Sequence, residues 1–313
     1  MRDQIASTVP GTAARRPDFT ILLPIIRPPV TLGYALGSVL AQTVDNIEVV
    51  ILCDGAPPET VSEAERLART DRRVRVAAFP KGARHGEAHR AKIVGETTGR
   101  NLAQIADDDL WFPDHLAILR NALERVDFAN TSLTLVLPEG RMRAAHWGHL
   151  RDPATRTRML GEKFSFFGPT ECAYRRSAYD ALPDGWTPAP PDIYSDLHMW
   201  RKFVSRNDLR FDSIFRPTSF KFPAWRWCDE PPEAVNAALR SFADRLRTTW
   251  GAAILRRQAH ARIALDRSWQ EQLQILRLDP WAFAGLAPIK MVLTPIKMAR
   301  AVRRQLGAAA TRH

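Results

Sequence analysis

Short, almost wholly apolar runs alternate with amphipathic stretches from residue 19 to residue 106. Phe19-Thr-Ile-Leu-Leu-Pro24 is nearly continuous in apolar residues, the pattern of a strand buried on both faces. After Pro28-Pro29, the residues Leu32, Ala35, Leu36, Val39 and Leu40 recur at helical spacing and make one apolar face. Ile47-Glu-Val-Val-Ile-Leu52 predicts a second strand, ended by Cys53-Asp54-Gly55. A helix over Glu59 to Arg69, a strand over Val74 to Phe79, a helix around Ala88–Glu96 and a strand over Asn101 to Ala106 follow. Strand and helix alternating through short connections predict an α/β fold, a parallel sheet with helices on both faces. In such sheets ligands bind beyond the carboxyl ends of the strands. Asp54 and the triplet Asp107-Asp108-Asp109 fall at two of those ends.

Past Pro113, Leu116, Leu119 and Leu123 mark another helix, and Ser132-Leu-Thr-Leu-Val-Leu137 reads as a strand. Residues 139–190 are rich in Gly, Pro and aromatics and less regular, whereas Pro232 to Asp279 reads as helix almost throughout. The expected organisation is a flexible leader (1–17), a main domain (18–230), a helical extension (231–280) and a tail (281–313). The tail repeats itself, Leu286-Ala-Pro-Ile-Lys-Met-Val292 and then Leu293-Thr-Pro-Ile-Lys-Met-Ala299. From Ile296 onward Met298, Ala299, Val302 and Leu306 share one helical side, and Lys297, Arg300 and Arg304 the other. A helix of that kind over 286–306 suits an anionic membrane surface or the protein's own flank. Pro288, Pro295 and the internal lysines argue against crossing a bilayer.

Composition narrows the class. With 45% hydrophobic and 25% charged residues in 313, the chain is an ordinary globular protein rather than a disordered or fibrous one. Its net charge of +11 looks at first like that of a nucleic-acid binder. However, 14 Lys/Arg and four acids lie from Arg240 onward, so +10 of that charge belongs to the C-terminal quarter. The body is electrically balanced, no nucleic-acid recognition module is recognisable, and no specific nucleic-acid partner is expected. The three cysteines form no C-x-x-C pair, and Met1 to Pro10 lacks the apolar core of a signal peptide. The expected location is the cytoplasm, with a peripheral attachment to the inner face of the cell membrane through the tail.

Three carboxylates in a row at the end of a buried strand repel one another unless a cation shares the site. A hard divalent ion with oxygen ligands is the natural guest, and it takes phosphate oxygens as further ligands. The competing reading makes Asp109 the cap of the helix that follows Pro113.

Four segments in order, Pro24-Ile-Ile-Arg-Pro-Pro29, Ala35-Leu-Gly-Ser-Val-Leu-Ala-Gln-Thr43, Ile51-Leu-Cys-Asp-Gly55 and Ile105-Ala-Asp-Asp-Asp-Leu-Trp-Phe-Pro113, carry a family resemblance. Together they resemble the donor half of family 2 glycosyltransferases with the GT-A fold, well over 18–125 and more loosely over 160–205. The resemblance implies a mostly parallel sheet with a donor half (18–125) and an acceptor half (126–230), followed by the helical extension. It implies an inverting transferase that moves a sugar from a nucleotide-diphosphate donor, a UDP-sugar first, to a hydroxyl of a saccharide or lipid-linked acceptor in bacterial surface polysaccharide synthesis. By the same resemblance Pro24, Arg27, Asp54, Arg90 and Asp107 border the donor nucleotide, and Asp108 binds Mn2+ or Mg2+. Asp196, in Tyr194-Ser-Asp-Leu-His-Met-Trp-Arg201, aligns with the catalytic base, although Ser195 or Asp196 also suits a helix cap.

The chain departs from the family's pattern in three places. Ala106 and Ser195 stand where acidic residues are usual, and no histidine lies between Phe211 and Glu230. Lys221 and Arg226 occupy that last stretch and offer diphosphate contacts instead. These departures keep an alternative open, a non-catalytic nucleotide-sugar-binding or scaffold protein that retains the fold. His198 is a rival base expected on another face of its helix. His85 and His89 have helical spacing but no third ligand for zinc, and His146 and His149 are expected at the surface of an irregular loop.

Overall fold

The computed structural model describes residues 15–138 and 140–278. Most of the expected leader (1–17) and all of the expected basic tail (281–313) lie outside the described residues.

The first half runs β1 Phe19–Ile25, α1 Leu32–Leu40, β2 Ile47–Asp54, α2 Pro58–Ala68, β3 Val74–Phe79, α3 Glu87–Gly95 and β4 Asn101–Gln104. Next come β5 Asp109–Trp111, α4 His115–Leu123, β6 Phe128–Ser132, β7 Thr134–Val136 and β8 Met142–Ala144. Helix α5 Pro153–Gly161, a 3-10 turn Pro169–Glu171, β9 Cys172–Arg175, α6 Arg176–Asp180 and α7 Ser195–Val204 carry the chain onward. The body closes with β10 Phe211–Pro217, β11 Ser219–Lys221 and α8 Ala224–Trp227, and the extension is α9 Pro232–Leu246, α10 Thr249–Leu265 and α11 Trp269–Leu278.

Seven strands form the main sheet in the order β10-β6-β9-β4-β1-β2-β3. Strands β3, β2, β1 and β4 are mutually parallel, with Phe19 opposite Ile47 and Ile25 opposite Cys53. Strand β9 runs antiparallel to both β4 and β6, between which it is inserted, and β10 is parallel to β6. The apolar runs are continuous because each face of the sheet has its own core. Ile21, Leu23, Val49 and Ile51 point to the side of α1 and α4, while Leu22, Val50 and Leu52 point to the side of α3 and α7. A second sheet, in the order β5-β11-β7-β8, stands beside the first. The extension packs on it, with Leu239, Phe242, Leu246 and Leu255 against Leu110, Phe220 and Phe222.

One expectation fails here. The run Ser132–Leu137 is not a single core strand: only Thr134–Val136 is a strand, and it belongs to the smaller sheet. The main-sheet strand is the more polar Phe128–Ser132 just before it. Asn130 and Thr131 are tolerated there because the Asn130 side chain accepts from Ser213 Oγ at 2.6 Å and Thr131 Oγ1 accepts from Thr218 at 2.7 Å.

Phe128 is the hub of the core on the α3 and α7 side of the sheet. Its ring centroid lies 5.2 Å from that of Trp200, 5.1 Å from Phe203, 5.6 Å from Tyr174 and 5.8 Å from Phe167. Phe128→Ala is expected to cost about 3–5 kcal/mol of stability, measured by urea unfolding, because a fully enclosed aromatic leaves a cavity that the surrounding rings cannot close.

Candidate functional site

The site is built at the carboxyl ends of β1 and β4, where ligands gather in such sheets. After β4 the chain turns through Asp107 and Asp108, which are buried, and enters β5 at Asp109. Arg27, in the loop after β1, binds both of the first two. Its Nε lies 2.9 Å from Asp107 Oδ2, and its Nη2 lies 3.0 Å from Asp107 Oδ1 and 3.0 Å from Asp108 Oδ2. Thr31 Oγ1 donates to Asp107 Oδ2 at 3.1 Å. Burial, reinforced by the charge of Asp108, still pushes the Asp107 carboxyl up to about 6, against the pull of Arg27.

Asp109 does not cap a helix. Helix α4 begins at His115 with Asp114 as its flanking residue, and Asp109 instead opens strand β5. That strand pairs antiparallel with β11, which sets Asp109 directly opposite Lys221. Lys221 Nζ is 3.4 Å from Asp109 Oδ2, Thr170 Oγ1 donates to the same oxygen, and the Phe222 amide donates to Oδ1 at 3.2 Å. The local signal for β5 is only three residues long, so the pairing with β11, rather than propensity, decides the strand.

Lys221 ties residues of the second half of the chain to the cluster. Burial works against its charge, but Asp109, Glu171, Asp108 and Asp196 together outweigh that and hold the ammonium above the ordinary lysine value. Glu171, at the end of the turn before β9, was not among the sequence candidates. Its Oε2 accepts from the Gly168 amide at 2.8 Å and its Oε1 from Ser219 Oγ at 3.0 Å. Burial drives this carboxyl up to about 7, with Asp109 adding to the shift and Lys221 opposing it. The Gly168-Pro-Thr-Glu171 turn was its only sequence signal, and that signal indicates a bend rather than a site.

Asp196 occupies the second position of α7. The flanking residue of that helix is Tyr194, without a side-chain cap bond, so neither Ser195 nor Asp196 is the cap. Asp196 Oδ1 accepts from the Leu197 amide at 2.8 Å. Burial raises its pKa, against the Leu197 amide, Lys221 and Arg90. The rival His198 is turned away, with Nε2 3.3 Å from Thr187 Oγ1.

Arg90 links the two halves of the site. It is buried on α3, lies over the Trp186 ring at 4.9 Å, and places Nη1 3.5 Å from Ser195 Oγ. It feels both Asp54 and Asp196. Asp54, at the end of β2, is fully buried, with Lys81 Nζ 2.7 Å from Oδ2 and the Gly82 amide 2.6 Å from Oδ1. His89 stands 3.6 Å away from Asp54 and stacks on Phe79. Gly86 takes a positive φ of 73°, and a Cβ there would come within 2.5 Å of Asp54, so the loop needs glycine at that point. Pro24 is half-buried on β1 opposite Leu52. Arg226 is exposed on α8 and stacks over Trp225 at 4.4 Å. His149 departs from expectation: it is buried, which drives its pKa down to about 4.

The cluster has a chemical requirement. Asp107, Asp108, Asp109, Glu171 and Asp196 face Arg27 and Lys221, while Arg90 is shared with the buried Glu87, so full ionisation leaves negative charge in excess. Asp107 Oδ1 and Asp108 Oδ2 converge on one atom, Arg27 Nη2, each at 3.0 Å, so the guanidinium fills the point between them. That donor set fits a divalent ion with two protein carboxylates and the remainder from a phosphate-bearing ligand. Among the described residues no group of three or more His, Cys, Asp or Glu side chains is arranged to hold a metal by itself. No described helix is long and apolar enough to cross a membrane.

Residues 20–182 match the model of the family described as Glycosyl transferase family 2. The succinoglycan biosynthesis protein ExoW of Rhizobium meliloti (strain 1021) is 30% identical over 110 residues, a stretch that spans 34% of this chain and 34% of that relative. Among solved structures, S. aureus TarS superimposes with a TM-score of 0.50 at 14% identity, over 84% of this chain and 45% of that one. The mannosyltransferase PcManGT from Pyrobaculum calidifontis, in complex with GDP-Man and Mn2+, gives 0.46 at 18% identity over 95% and 86%. At 14% identity the likeness to TarS bears on the fold alone, and the fold is GT-A.

The raised carboxyl of Glu171 has a consequence for stability. Unfolded, this group releases its proton near 4.5, whereas the folded chain retains it up to about 7. In that window the native state binds the extra proton, so stability falls as pH rises from about 4.5 to 7. Glu171→Gln cannot titrate and is expected to flatten the fall by on the order of 1–3 kcal/mol across that window, read from urea midpoints at half-unit pH steps. An unchanged slope would remove Glu171 from this account.

Proposed function

Because the chain belongs to glycosyl transferase family 2, we propose that it transfers a sugar from a nucleotide-diphosphate donor to an acceptor hydroxyl with inversion. UDP-sugars are the first donors to test. The acceptor class is a saccharide or lipid-linked saccharide of a bacterial surface polysaccharide, a reading supported by the partial likeness to a succinoglycan biosynthesis protein. The observation that carries the proposal is a carboxylate, Asp196, with a raised pKa and no direct ion pair, held beside Lys221 and Arg90 at the edge of the acidic cluster.

In-line inversion requires a base on the acceptor side and charge stabilisation on the leaving-group side. Asp196 takes the proton from the attacking hydroxyl, and its elevated pKa makes it a stronger base than an ordinary aspartate. Lys221, held cationic by four acids, faces the leaving diphosphate. Asp108, with Asp107 beside it, would hold Mn2+ or Mg2+, which supplies charge to the diphosphate as it departs. Asp107 serves the ribose, Arg90 lies beside the donor, and Arg27 and Pro24 border the nucleotide. Asp54 reads the base once Lys81, whose side chain is 48% exposed, yields an oxygen. The exposed Arg226 serves as an outer contact for the diphosphate. The alternative, a donor-binding scaffold without turnover, rests on Ala106 and Ser195.

Two measurements separate these readings. Thermal unfolding with UDP, GDP and dTDP, each with and without Mn2+, is expected to show stabilisation by one nucleotide, and Asp108→Ala is expected to abolish its metal-dependent part. With that donor, Asp196→Asn is expected to lower kcat by roughly 10²–10⁴ while nucleotide affinity holds. The kcat/KM of the wild-type chain should fall on the acid side at a pH above the ordinary aspartate range, since the raised base is protonated earlier. Full turnover by Asp196→Asn would sink its role as base, and nucleotide binding without any turnover would favour the scaffold.

A further inference from the structure

Arg27 occupies the position a divalent ion would need. Its Nη2 is 3.0 Å from an oxygen of Asp107 and 3.0 Å from an oxygen of Asp108, while its Nε is 2.9 Å from the other oxygen of Asp107. Divalent ions sit about 2.0–2.6 Å from carboxylate oxygens. An ion bridging the two aspartates therefore falls within the volume of the guanidinium, and the two exclude each other. The partners also differ in freedom. The Asp107 and Asp108 side chains are 5% and 9% exposed, in a turn fixed between β4 and β5. The Arg27 side chain is 39% exposed, on the outer loop that also carries the exposed Ile26 and Val30. Arg27 is the member that can leave.

We propose that Arg27 is a resident competitor for the cation position between Asp107 and Asp108, so that the metal enters together with the anionic donor and not ahead of it. The inference rests on the donor-site reading above. In the nucleotide-free chain a metal has to displace a guanidinium held by two carboxylates, and the displaced guanidinium then needs another anionic partner. A diphosphate supplies that partner and further oxygens for the metal at once. Metal and nucleotide must then tighten each other by the same factor, as linkage requires. Arg27 thus acts as a positioning residue that sets the order of binding, in addition to bordering the nucleotide.

The test uses the full chain and Mn2+ as the probe. Free Mn2+ is quantified by its electron paramagnetic resonance signal, and unfolding temperature is followed in parallel, for wild type, Arg27→Met and Arg27→Lys. Without nucleotide, wild type is expected to bind Mn2+ weakly and to show little thermal response to it. Arg27→Met is expected to bind Mn2+ at least tenfold more tightly, to unfold at a lower temperature without metal because two buried carboxylates lose their partner, and to recover with Mn2+. Arg27→Lys, which keeps the charge but not the fork, is expected to fall between them. Adding the stabilising nucleotide should tighten Mn2+ more in wild type than in Arg27→Met. If Arg27→Met does not fold, Arg27→Gln, which keeps donors without charge, replaces it. Equal Mn2+ affinity in wild type and the uncharged variant, with nucleotide binding intact, overturns the competition and leaves the donor reading standing. Failure of all variants to bind metal and nucleotide alike overturns both.

Discussion

Five carboxylates gathered at one edge of a mostly parallel sheet are the constraint from which the rest of this molecule follows. Such a group is costly to bury, and the chain offsets the cost with three cations that arrive from different parts of the sequence. Arg27 comes from the loop after β1, Arg90 from α3 and Lys221 from β11. Each cation also fixes a piece of architecture. Arg27 ties the first loop to the β4–β5 turn, Arg90 leans on Trp186 toward α7, and Lys221 brings the smaller sheet under the acidic cluster. The residual negative charge is the physical ground for the proposed cation site.

The short ladder between β5 and β11 links the two sides of the site mechanically. Asp109 and Lys221 are opposite one another in register, and Trp111 opposes Ser219. Ser219 in turn donates to Glu171, and the 3-10 turn bearing Glu171 leads directly into β9. Trp111 Nε1 donates to the Thr170 carbonyl at 2.8 Å, closing the loop back onto the same turn. The aspartate triplet and the turn bearing Glu171 are thereby held by backbone pairing and buried hydrogen bonds rather than by mobile surface contacts, which is how a site keeps sub-ångström geometry.

Much of this was visible in the chain, for physical reasons that differ by residue. β1 and β2 were legible because strands covered on both faces leave continuous apolar runs. The triplet of aspartates stood out because three adjacent buried carboxylates need cations or donors, and here Arg27, Thr31, Lys221, Thr170 and the Phe222 amide supply them. What each aspartate contacts was not legible. The direction of Asp109 depends on a pairing with a strand more than a hundred residues later. β6 was missed because Asn130 and Thr131 lower its hydrophobicity, and their partners Ser213 and Thr218 come from distant positions. Glu171 carried no local mark at all, since a glutamate after Gly-Pro-Thr is ordinary in a turn and its burial is purely tertiary. His149 was misplaced for the same reason, its loop being covered by residues far along the chain.

The insertion of β9 between β4 and β6 has a consequence for how the chain assembles. β4 pairs with β1 about eighty residues earlier, but its other edge remains open until residues 172–175 arrive, and the outermost strand β10 then docks on β6. Contacts between partners so far apart in sequence carry a large loop-closure entropy, so closure of this sheet is a slow folding event. During synthesis the first half emerges with an unpaired β4 edge, at the low end of aggregation safety, until some seventy further residues have been made. The same strand that shields that edge also delivers Glu171, so the acidic cluster is completed only as the sheet closes.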